Sequence, residues 1–370
     1  MTAARRRRAR VRVDRPPPGR GDTGPRIGGV RPLRGGARPI TLGVALVLVA
    51  AALGGCAAPQ SAALRAALPA ASQAASVDEG ARSGAFGRSL APRASIAGVP
   101  FVAQSDYQCG PAALAMALAA AGRPVPLERL IDAVYLPARK GSLQAEMLAQ
   151  PRRESMLSVP LDGRLASMLQ AVADGVPVLV FQNLGLSWAP IWHYAVLIGY
   201  DLRAGVVVLH SGTEAATPMS IDTFERTWAR AGAWSMIVVD PSRIPSSVDV
   251  GTALRAAVAL ERLDRAAALR AYEALLARAP DDRFVAFARA NALLADSRPH
   301  AAASAYRALL ARHPDFADAW NNLAHALADA GDAAGAAHAA ERAVALGGPS
   351  ARVYLQTAER MRRRADPPAR

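Results

Sequence analysis

The chain has 370 residues, 52% hydrophobic and 20% charged, enough apolar content to bury more than one core. Its formal net charge of +14 argues poorly for nucleic-acid binding. The first 38 residues hold 12 arginines and 2 aspartates, net +10, among Gly and Pro and without interleaved aromatics. Two cysteines exclude a disulfide framework, and with no zinc spacing, phosphate loop or paired-carboxylate site, no metal or cofactor is expected.

Residues 1–55 read as a leader. A basic segment precedes the apolar run Ile40–Leu53, and small residues lead into Cys56, the order of a secretory signal. The run is short for a spanning helix, which takes about 20 apolar residues. Residues 56–94, rich in Ala, Ser and Arg and lacking an apolar period, read as a flexible tether.

The texture changes at Pro100. Gln104-Ser-Asp-Tyr-Gln-Cys109-Gly-Pro111 leads into the apolar run Ala112–Ala121, which puts Cys109 in the first turn of a helix. Aligned amides at a helix start favour negative charge, so a thiol there is biased towards thiolate. Pro111 suits a first turn, and Gly110 lets the backbone come close to a substrate. Most free cysteines are small buried apolar residues; an unpaired thiol in an exported chain calls for a further reason, and catalysis is one.

Helices are predicted at Leu127–Val134, Leu143–Leu148 with Ser142 as N-cap, and Leu165–Ala173. Strands follow at Pro177–Phe181, Tyr194–Tyr200, Val206–Leu209 and Ser235–Val239. Helices first and an antiparallel sheet afterwards make an α+β domain. Thr223–Trp228 reads as a short helix that turns Phe224 and Trp228 to the core. His193, at the head of the second strand, is one of only two histidines before the C-terminal helical region; the other is His210. It is the partner expected to take the Cys109 proton, forming an ion pair, and to return it to a leaving amine. Trp188 and Trp192 crowd the approach to His193 and are candidate walls of a substrate cleft.

After Pro241 the chain reads as helical. Tyr272–Pro280 and Tyr306–Pro314 are one segment offset by 34 residues, and Ala268, Ala302 and Ala336 keep the offset. A period of 34 with small residues where helices approach resembles the tetratricopeptide repeat. Three units span about 252–348, with a cap helix at 350–364, in a repeat domain set at 249–366. Stacked helix pairs of this kind make a groove for a protein partner. Histidines 300, 313, 325 and 338 show no clustered ligand spacing and read as surface or groove residues.

Val99-Pro-Phe-Val-Ala-Gln104 through Cys109-Gly-Pro-Ala112, with His193-Tyr-Ala-Val-Leu-Ile-Gly-Tyr-Asp201, resembles the C39-like (papain-like) cysteine peptidases over residues 95–245. With its leader and repeats the chain is similar to bacterial lipoprotein members of that group. The resemblance implies a papain-like α+β peptidase domain followed by an all-α repeat domain. It implies Cys109 as nucleophile, His193 as base and a glutamine whose amide holds the oxyanion, Gln104 matching best and Gln108 competing. The family's third residue, an Asp after the following strand, is missing from Val208-Leu-His210-Ser211-Gly212. Asp201, Ser211 and Glu214 come within reach in different hairpin registers and His210 offers a ring nitrogen; alignment favours Ser211.

Leu53-Gly-Gly-Cys56 resembles a bacterial lipobox, which implies a lipidated Cys56 and, with Ala57 rather than Asp after it, an outer-membrane anchor in the cell envelope. The expected activity is hydrolysis of peptide bonds in a peptide or protein substrate. The alternatives are an amide hydrolase or acyl transferase on a non-protein substrate, and a decayed scaffold that acts through its repeats.

Overall fold

The computed structural model describes residues 58–68, 90–104 and 107–365. The leader and Cys56 lie outside the described residues. An antiparallel sheet organises everything between residues 90 and 240. Its strands are β1 (Arg93–Ser95), β2 (Leu157–Pro160), β3 (Val178–Asn183), β4 (Trp192–Asp201), β5 (Val206–Ser211), β6 (Glu214–Ser220) and β7 (Ser235–Val239). The order is β2-β7-β3-β4-β5-β6. β1 joins the far end of β4, Arg93 opposite Asp201 and Ser95 opposite Gly199, beyond the stretch that β3 pairs.

Strand alternation gives the sheet two apolar faces. Leu179, Tyr194, Val196, Ile198, Met236 and Val238 face the helix Cys109–Ala120 (α2), together with Leu130 of Leu127–Val134 (α3) and Met147 of Gln144–Arg153 (α4). Val178, Val180, Ala195, Leu197, Ile237 and Val239 face the other way, onto Leu165–Ala173 (α5) and Ile221–Ala229 (α6). Phe224 and Trp228 of α6 are fully buried there and stack with ring centroids 6.2 Å apart.

That second core continues without a break into the C-terminal helices. These are α7 (Val250–Glu261), α8 (Arg265–Arg278), α9 (Arg283–Ala295), α10 (Pro299–Arg312), α11 (Ala317–Asp329), α12 (Ala333–Leu346) and α13 (Ala351–Ala365). Helices α8, α10 and α12 start 34 residues apart, as do α9, α11 and α13. Ala268, Ala302 and Ala336 are buried where neighbouring helices close together, and Tyr272 and Tyr306 fill the same place in successive repeats. Asp249, Asp264, Asp282 and Asp332 each accept an amide hydrogen bond at a helix start.

The segment expected to be a tether carries structure. Pro59–Ala66 (α1) is a helix docked on α6. Its first amides, at Gln60 and Ser61, donate to the buried Glu225 carboxylate at 2.9 and 2.7 Å, and Arg65 pairs with Asp222 at 2.8 Å. Arg93–Ser95 is a strand. Neither shows an apolar period, because short elements of this kind are held by tertiary partners rather than by their own pattern.

Candidate active site

Helix α2 begins at Cys109, with Gln108 as N-cap and no side chain capping its free amides. Tyr107 just before it takes a left-handed conformation (φ 64°), which turns the chain sharply into the helix. Gly110 is fully packed. A Cβ built there would lie 2.4 Å from Ser142 Oγ and 2.7 Å from Ser142 Cβ, so no larger residue fits beside the cysteine.

Cys109 and His193 line one cavity of about 890 Å³. Gln104, Trp192, Phe181 and the loop Arg139–Leu143 complete its walls. His193 Nε2 lies 2.8 Å from Ser211 Oγ, so the serine at the end of β5 takes the place in which an orienting carboxylate was sought. Asp201 is at the opposite end of β4, where its Oδ1 accepts the amides of Arg203 and Ala204 in a turn. Glu214 is exposed at the start of β6. His210 is buried and structural. Its Nδ1 accepts from the Ala216 amide at 3.0 Å and its Nε2 meets Val99 O at 3.1 Å, which fixes the ring and ties down the segment leading to Gln104.

Gln104 lines the cavity, and its backbone amide donates to Gly212 O at 3.2 Å. Among the described residues its side-chain Nε2 is buried without a hydrogen-bond partner, as is Ser142 Oγ. Gln108 is not a lining residue; its carbonyl accepts from the Ala112 amide as the helix opens. Of the two tryptophans expected in the walls, Trp192 is there, stacked on Phe181 at 5.3 Å and 13°. Trp188 is not. It stands 83% exposed on the β3–β4 loop, away from the lining.

The electrostatics correct two expectations. Burial pushes the Cys109 thiol above its ordinary range, against the amides of Tyr194, Gly110 and Cys109, which pull it down. Burial also pushes His193 below the ordinary imidazole range. Desolvation of both groups outweighs the pull of the helix amides and works against the charged form of each.

Four contributors escaped the sequence reading. Ser142, expected to cap α4, gives that place to Leu143 and packs its hydroxyl against Gly110, while its carbonyl accepts the Tyr194 hydroxyl at 3.2 Å. Arg139 and Lys140 reach the cavity from a loop with no regular period. Asn183 latches the β3–β4 loop, its Oδ1 accepting the amides of Gly185 and Ile191, each at 3.0 Å. An Asn at a strand end is a turn signal, and it was the one available cue.

Residues 96–236 match the model of the Peptidase_C39 like family. Three solved structures are similar to parts of the chain. A C39-like peptidase from Bacillus anthracis is 18% identical over 42% of this chain and 99% of its own, with a TM-score of 0.35. A double glycine motif protease from an AMS/PCAT transporter, in complex with the leader peptide, is 20% identical over 39% and 93%, with a TM-score of 0.31. The Sgt2 TPR domain from Aspergillus fumigatus is 25% identical over 33% and 86%, with a TM-score of 0.29. No curated protein matches the chain. The α+β domain at residues 96–236 is thus similar to the Peptidase_C39 like family, and the chain continues from it into helical repeats with the 34-residue offset of the tetratricopeptide type.

Proposed function

We propose that this cleft hydrolyses peptide bonds with Cys109 as nucleophile and His193 as general base and acid. One observation carries the reading: thiol, imidazole and the unpartnered Gln104 amide line a single cavity. With Nε2 turned to Ser211, the Nδ1 atom of His193 is left for the sulfur. As Sγ bonds to the substrate carbonyl carbon, its proton passes to that nitrogen, and Gln104 Nε2 with the Cys109 backbone amide holds the oxyanion. The C–N bond then breaks, the imidazole protonates the leaving amine, and a thioester remains. Water, deprotonated by His193, attacks the thioester and restores the thiol.

A second reading, a cleft that binds peptide without cutting it, is favoured by serine in the orienting position. The two are separated by incubating the full chain with a mixed peptide library and identifying products by mass spectrometry. The hydrolase reading expects cleavages that Cys109→Ala abolishes; cleavages that survive it, or none at all, support the second.

The leader supports export, with the mature chain lipidated at Cys56 in the outer membrane of the cell envelope. Because α1 starts at Pro59, such an anchor holds the folded body close to the bilayer rather than on a long tether. Cys56→Ala is expected to move the protein from the membrane to the soluble fraction. The repeats are assigned to protein binding. A cavity of about 350 Å³ lined by Trp320, Leu323, Arg307 and His338 supports that assignment.

A further inference from the structure

Among the described residues, the cavity beside Cys109 is lined by two permanent cations, Arg139 and Lys140, and by no carboxylate. Neither cation is engaged in an ion pair among the described residues. The loop that carries both is closed by backbone hydrogen bonds. Leu136 and Gly141 close the loop, the Leu136 amide donating to Gly141 O at 2.9 Å. Within it Pro137–Arg139 make one 3₁₀ turn. Lys140 follows in a left-handed conformation (φ 49°), its ammonium 5.2 Å from the centre of the Tyr107 ring. That left-handed residue closes the 3₁₀ turn and leaves the lysine lining the cleft. The facing wall is the Phe181–Trp192 stack with Ile191 and Pro190.

We propose that the cleft selects peptides bearing a carboxylate, with an apolar side chain lying on the Phe181–Trp192 wall and the acidic group meeting Arg139 and Lys140. This rests on the peptidase reading and names the class of substrate for it. Two cations that meet no counter-charge among the described residues attract an anion and repel a cation. The carboxylate comes from an acidic side chain or from the C-terminus of the substrate.

The test is binding, so that it does not depend on turnover. Calorimetric titration of full-length Cys109→Ala protein uses acetylated, amidated peptides that carry one Phe next to Glu, Gln or Lys, and the Gln peptide again as the free acid. The Glu peptide is expected to bind about tenfold tighter than the Gln peptide, and the Lys peptide weakest. A free acid as tight as the Glu peptide assigns the group to a substrate C-terminus, and one no tighter than its amide assigns it to a side chain. In Cys109→Ala carrying R139E and K140E the order is expected to invert, a gain for the Lys peptide that unfolded protein cannot produce. Equal affinities, no binding by any peptide, or an order unchanged by the double substitution overturns the proposal. Labelling of Cys109 in the unmodified chain, and its dependence on His193, reports on the catalytic pair alone, so the two readings fail separately.

Discussion

The two faces of the sheet bury similar apolar side chains, yet they are held in different ways. On the face covered by α2, none of helices α2, α3 and α4 has a side-chain cap. Two non-glycine residues in left-handed conformations, Tyr107 and Lys140, line the cleft, and two buried polar atoms, Gln104 Nε2 and Ser142 Oγ, lack partners among the described residues. On the other face, α6 and the repeat helices share one core, and four of the repeat helices start at an aspartate that caps them. Unpartnered buried polar atoms occur on the other side as well, Gln182 Oε1 and Asn321 Oδ1 among them, but those of Gln104 and Ser142 belong to residues that line the cleft. A buried polar atom without a partner costs about 1–3 kcal/mol, and at the cleft such atoms face a cavity in which a substrate can satisfy them.

The largest effect is expected on the repeat side. Trp228→Ala removes a fully buried ring stacked on Phe224, which costs about 3–5 kcal/mol. Because that core runs on into the repeats, thermal unfolding should remain a single transition at lower temperature. A separate repeat transition, unmoved by the substitution, would break the claim of a shared core.

On the cleft side, Gly110→Ala sets a methyl group against Ser142 and displaces Cys109, the proposed nucleophile. Peptide hydrolysis is expected to fall about a hundredfold, since small misplacements of a reacting group have that effect. Pairing it with Ser142→Gly opens the space again, and recovery of rate would attribute the loss to that contact.

These contrasts also explain what the chain disclosed before it was folded. Leu127–Val134, Leu165–Ala173 and Ser235–Val239 have the predicted bounds because their apolar residues keep the period of the element. The repeat helices were legible for the same reason, with their buried alanines at a constant offset. β6 was missed because Glu214–Ser220 is an edge strand, largely exposed, with a proline and no apolar alternation. β2 is four residues long and ends in Pro160. At the site, the residue types of Cys109, His193 and Gln104 were visible, but the net outcome of burial against helix dipole was not. That balance depends on how much of the sheet covers the pair. Ser142 was misplaced because its sequence position suits a cap, while its space is set by Gly110, distant in the chain.

A moderate effect is expected from Ser211→Asp. A carboxylate 2.8 Å from the imidazole, where the hydroxyl now stands, stabilises the imidazolium and raises the His193 pKa. In the native chain His193 is held below its ordinary value of 6.5, so the acid limb of kcat/KM should lie below pH 6.5. The substitution should move that limb to higher pH and raise the rate at neutral pH about tenfold, as a better oriented base does. An unmoved limb would show that residue 211 does not act on the imidazole.

The smallest effect is expected from Asp264→Ala, which removes the cap whose Oδ1 accepts the Ala267 amide at 2.9 Å. Denaturant unfolding should show a loss of about 1 kcal/mol with no change in cleft chemistry. A change in peptide hydrolysis instead would mean that the repeat side controls the cleft.

The most direct measurement is the rate at which a neutral alkylating probe modifies Cys109, followed against pH in the native chain and in His193→Ala. A working pair predicts rapid modification at neutral pH that falls steeply without His193, even though burial holds the thiol above its ordinary range. Superimposable rate profiles for the two proteins would contradict the pair, and with it the hydrolase.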